Sequence, residues 1–138
     1  MKRIIIPALV ALATPAFAQE PPRQSAQCLT EIAGLTAERL DMFDADTVAR
    51  AQRKADALYT SIQRVMASRV SMDAAHRDAM VVLGRQEAEG TAPAGAVEVA
   101  DRDHRRERAN DLIEDGVMIR ETPNCVWPEG FGAEVSGF

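Results

Sequence analysis

The sequence predicts an all-α protein: a small antiparallel bundle of about four helices, with an irregular C-terminal tail tied back by one disulfide. Three observations lead there. Apolar residues from Val48 to Val65 recur at three- and four-residue spacing, glycine and proline gather around 90–95 and beyond 116, and two cysteines stand near opposite ends of the 138-residue chain. The first is the signature of helix, the second punctuates helices, and the third supplies a staple.

The opening residues predict export. Lys2 and Arg3 precede an apolar run from Ile4 to Ala13, and Ala16-Phe17-Ala18 follows as a small-x-small end. These are the three parts of a secretory signal peptide, residues 1–18, with cleavage expected after Ala18. The run is well short of the ~20 residues that span a bilayer, so no membrane span is expected after cleavage. Loss of Lys2 and Arg3 leaves 14 basic against 21 acidic residues, a net charge of −7. An acidic, periplasmic or secreted protein is a poor partner for nucleic acid and for anionic membrane surfaces.

Gln19 to Gln24, with Pro21 and Pro22, reads as a flexible leader, and residues 25–138 as a single helical domain. Ser25 is placed to cap a first helix carrying Cys28, Leu29, Ile32, Leu35, Leu40 and Phe43 near one face. Asp41, Asp44 and Asp46 crowd the next turn, where carboxylates suit the positive end of the following helix. That helix, Thr47 to Val70, puts Val48, Ala51, Ala55, Leu58, Ile62 and Val65 in one stripe, widened by Tyr59 and Met66. It is the element around which the chain is organised, about 36 Å long.

Ser71 and Asp73 offer a new cap and first-turn acid, so a third helix is expected from Met72 to about Glu89, burying Met72, Ala75, His76, Ala79, Met80 and Leu83. Gly90 to Gly95 is a loop. A fourth helix spans Ala96 to about Asp115 and stops at Gly116. Its middle, Asp101 to Arg108, is almost wholly charged and reads as a solvated face. From about 117 the tail is irregular, because Pro123, Pro128, Gly130, Gly132 and Gly137 forbid a long regular element. It nevertheless carries Cys125, Trp127, Phe131 and Phe138. In an oxidising compartment Cys28 and Cys125 are expected to form a disulfide, pinning the tail over the first helix with Trp127 beside the sulfurs; the alternative is a free nucleophilic or metal-binding cysteine. Closing so long a loop stabilises by about 4.7 kcal/mol on the chain-entropy argument.

No nucleophile elbow, phosphate loop, dinucleotide fingerprint, zinc-protease or EF-hand pattern is present, so an enzyme is the least favoured class. One constellation is chemically distinctive. Met72, His76 and Met80 lie at i, i+4 and i+8, on one helix face, and an antiparallel fourth helix brings His104 near. Two thioethers beside an imidazole are a soft, neutral set suited to Cu(I) or Ag(I). Met80 and His104 are alternatively a pair of axial ligands for a non-covalent b-type haem.

Leu29-Thr30 and Leu35-Thr36-Ala37-Glu38-Arg39 resemble the L-T-x-x-Q elements of periplasmic helical stress chaperones and metal sensors. Ala33 and Arg39 stand where that family has its glutamine, and no site residue is carried over. The function expected from the whole is that of a small exported, non-catalytic binding or accessory protein acting through protein–protein contact. The alternative is a periplasmic soft-metal binder at Met72, His76, Met80 and His104.

Overall fold

The computed structural model describes residues 19–36 and 45–132, which form three helices in the order α1 (Ala26–Leu35), α2 (Ala45–Ala88) and α3 (Ala96–Glu121). The expected signal peptide, the expected helical positions of Leu40 and Phe43, and the end of the tail from 133 lie outside the described residues. Among the described residues, no helix is long and apolar enough to cross a membrane.

α1 starts where expected. The Ser25 hydroxyl accepts from the Cys28 N–H at 3.1 Å, satisfying one of the free donors of the first turn. The helix buries Cys28, Leu29, Ile32 and Ala33. Its inner face meets Ala51 and Ala55 of α2, whose small side chains let the two backbones approach. Leu58, Cys125 and Trp127 close the edge of this cluster. The hydrophobic core therefore sits at one end of the molecule, the head.

α2 is a single helix of 44 residues, about 66 Å long, so the expected division at Ser71 is not made. Serine inside a helix costs only a few tenths of a kcal/mol, and between Ala45 and Ala88 the sequence has no proline and only Gly84. A residue able to cap is not enough to end a helix whose neighbours all propagate it. The bundle thus has three helices among the described residues, and the expected third helix is the outer half of α2.

α3 likewise runs past Gly116, where a stop was expected, and ends at Glu121. One helical glycine costs about 1 kcal/mol, and the half-buried Met118 and Ile119 beyond it draw the helix onward. Thr122 and Pro123 end it instead. The Thr122 hydroxyl donates to the Met118 carbonyl at 2.7 Å, and proline cannot continue the ladder. Between α2 and α3 the chain turns through residues 89–95. The Glu87 carboxylate accepts from the N–H groups of Gly95 at 2.9 Å and Val97 at 3.3 Å, capping α3 from the neighbouring helix. The outer part of α2 and α3 form an antiparallel hairpin arm, its far end away from the hydrophobic core.

The tail returns over the head as expected. Cys28 and Cys125 are joined by a disulfide. Trp127 packs against the cluster that holds Cys28, and its indole N–H donates to the Thr122 hydroxyl at 3.0 Å. The leader, expected to be flexible, is laid along α2. Gln24 is buried, Gln63 Nε2 donates to the Gln19 carbonyl at 2.9 Å, and Gln52 Nε2 donates to the Pro22 carbonyl at 3.3 Å. Glutamines on α2 and in the leader satisfy backbone groups that the prolines leave without a ladder.

Candidate functional site

Through the middle of the arm the α2–α3 contact is made by charged groups and imidazoles, while toward its far end Val97 of α3 approaches Gly84 of α2. From α2 come Arg69, Asp73 and His76; from α3 come Asp101, His104, Arg108, Asp111 and Asp115. On each helix these positions are three or four residues apart, the spacing of a helix–helix seam.

At the centre His76 and His104 stack face to face, ring centroids 3.9 Å apart and planes 9° from parallel. Each reaches across to a carboxylate on the other helix. His76 Nε2 lies 3.1 Å from Asp101 Oδ1, and His104 Nε2 lies 2.8 Å from Asp73 Oδ1. The arrangement follows from a repeated D-x-x-H spacing, Asp73 to His76 and Asp101 to His104. Inverted on antiparallel helices, the two copies form crossed pairs. An ionised carboxylate can only accept, so each Nε2 carries the hydrogen of its bond. The imidazoles are half-buried, at 16% and 18% side-chain exposure.

Toward the head, Arg108 grips Asp73 with two bonds, Nε donating to Oδ1 at 2.9 Å and a terminal nitrogen donating to Oδ2. This fork, with His104 adding to it, holds the Asp73 carboxyl below its ordinary value. The His76 bond, helped by Arg105 at 3.3 Å, does the same for Asp101. One step further, Arg69 donates to both oxygens of Asp115 at 2.5 and 3.2 Å and lies 3.6 Å from Asp111. Its hydrogen bond to Asp115 raises the Arg69 guanidinium, keeping it charged. A hollow of about 230 Å³ opens beside these groups, walled on its far side by Gly130, Phe131 and Gly132 of the tail.

Of the residues singled out in the sequence, the structure brings His76 and His104 together. Met72 is half exposed, with Sδ 3.9 Å from the Ser68 hydroxyl, and Met80 is partly buried. Among the described residues, no group of three or more His, Cys, Asp or Glu side chains is placed to hold a metal ion. The imidazole nitrogens turned outward from each helix are committed to carboxylates.

The charged run 101–108 is only partly the solvated face that was expected. Arg102, Asp103, Arg105, Arg106 and Glu107 are exposed, whereas Asp101, His104 and Arg108 turn into the seam. Sequence reasoning passed over Asp73, Asp101 and Arg108 as site residues. The repeated D-x-x-H was the signal that could have found the two aspartates. In comparisons with known proteins, no family model, no curated relative and no solved structure matches this chain.

Proposed function

We propose that this is a small exported, non-catalytic binding or accessory protein that works by contact between its helical arm and another protein. The observation that carries this reading is the inverted polarity of the arm. The middle of its seam holds hydrogen-bonded charged groups, while Val70, Met72, Val81, Val82, Val99 and Ile113 lie 47–62% exposed on the outside. A seam that satisfies its own polar groups needs nothing further, but outward valines and isoleucine gain by being covered. Export is supported by the composition of residues 1–18 and agrees with the Cys28–Cys125 disulfide, which persists in oxidising compartments.

The test is a capture experiment from periplasmic extract with the mature chain and a Val81→Asp/Val82→Asp variant as baits. A partner retained by the unaltered arm and lost with the variant, at unchanged helix content, is the expected result. Equal retention by both baits would remove the arm from the contact.

A further inference from the structure

We propose that the stacked His76–His104 pair is a proton-operated joint that holds α2 and α3 together while at most one ring is charged and loosens the arm when both are. The proposal does not depend on the function suggested above.

With both rings neutral, each Nε2–H donates to the opposite aspartate, and a further proton can enter only at Nδ1. The charged groups around the pair are Asp73 from α2 and Asp101, Arg105 and Arg108 from α3. Arg69, Asp111 and Asp115 lie further toward the head, and the described tail residues that wall the hollow beside Asp73, Gly130 to Gly132, carry no charge. Both aspartates already face an arginine, Asp73 facing Arg108 and Asp101 facing Arg105. Arg108 is in turn shared with Asp111, 3.6 Å away, so Asp73, Asp101 and Asp111 against Arg105 and Arg108 leave one negative charge around neutral rings.

One proton therefore brings the joint to neutrality, and the charged ring lies against the face of a neutral π-system, a favourable contact. A second proton sets two cations face to face at 3.9 Å in a half-buried seam, where repulsion is several times what open water would allow. Each carboxylate meets only one ring, through Nε2, and Asp73 divides its charge with Arg108, so they offset the repulsion only in part. Separation of the rings relieves it, at the expense of the crossed hydrogen bonds. The head side of the seam stays clasped by Arg69–Asp115 and Arg108–Asp73, so the loosening falls on the outer arm.

Hydrogen exchange on the mature chain, in chelator-treated buffer and corrected for the intrinsic pH effect, reads this directly. Amides of 76–88 and 96–104 should lose protection roughly tenfold between about pH 7.5 and about pH 5, on either side of the ordinary histidine value near 6.5. Amides of α1 should not change. His104→Gln keeps a donor for Asp73 but cannot take a proton, so its arm should show no such loss. Equal loss in both proteins, or none in the unaltered chain, would overturn the proposal. Ring resonances of the unaltered protein give a second reading that requires no variant. Cross-relaxation between the two stacked rings should be present at about pH 7.5 and lost at about pH 5, and its persistence at the lower pH would be equally fatal.

Discussion

Gln24 clasps Val126 in both directions: its side-chain amide donates to the Val126 carbonyl at 2.7 Å, and its side-chain carbonyl accepts from the Val126 N–H at 2.9 Å. One side chain thus replaces a strand partner for a peptide 102 positions away, and it does so while only 7% exposed. Gln24→Ala leaves two backbone groups of the tail without their partners. The expected loss is about 1–3 kcal/mol, read as a lower denaturant midpoint at unchanged slope. A loss below a few tenths would show that water replaces the clasp freely.

The disulfide acts on the same junction. Cys28 is fully buried and Cys125 partly so, and 97 positions separate them. Reduction should lower stability by about 2–5 kcal/mol, because the open chain regains loop entropy. Non-reducing peptide mapping should recover the two cysteine peptides joined, and native protein should resist alkylation. Free reaction of both thiols without reductant would contradict the bond.

The helical class, the Ser25 cap, the core stripe of Ala51, Ala55 and Ile62, and the tail pinned at Cys28 were all legible in the sequence, because local periodicity and the cysteine pair encode them. The length of α2 was not. Ser71 carries the chemistry of a cap, and only tertiary context decides whether a capping residue is used as one. The seam was hidden for a different reason. Burial is ordinarily read from apolar residues, and here Asp73, His76, Asp101 and His104 occupy the facing positions, so the pattern that marks a helix contact is written in polar letters. His104 was expected near His76's face of the hairpin, but not the aspartates that orient both rings.

Acid should weaken this seam through its carboxylates as well. Asp73, chiefly through Arg108, and Asp101, chiefly through His76, are both held below the ordinary value of 3.8. A carboxyl depressed in the folded state binds its proton more readily when unfolded. The stability it supplies is therefore complete above the ordinary value and drains away as pH falls through the folded one. Denaturation midpoints should drop below about pH 4, and the drop should be shallower in Asp73→Asn. Identical acid limbs in the two proteins would deny Asp73 that role.

Two ion pairs of the arm differ enough in exposure to be set against each other. Arg69 and Asp115 are 18% and 12% exposed, whereas Arg105 and Asp101 are 70% and 45% exposed. Removing Arg69 strands a desolvated carboxylate, and Arg69→Ala should cost about 2 kcal/mol. Arg105→Ala removes a screened surface partner and should cost less than about 0.5 kcal/mol. Chemical denaturation at fixed salt ranks them, and a reversed order would mean that the arm is held by its rim.

Gly132 separates backbone conformation from packing. Its φ is +78°, and a Cβ built there would stand 2.2 Å from Ile119 Cδ1. Gly90 has a similar φ of +75° with nothing within 4 Å of such a Cβ. Gly90→Ala should therefore pay only the left-handed conformation, about 1–2 kcal/mol. Gly132→Ala should pay that and the displacement of Ile119 besides. Ile119→Val deletes the offending methyl, so Gly132→Ala made in that background should cost about as much as Gly90→Ala. A double-mutant cycle isolates the difference as coupling between 119 and 132. If the cost of Gly132→Ala is the same in both backgrounds, the tail does not press on α3 at Ile119, and the wall that Phe131 and Gly132 form beside the charged seam is not fixed there.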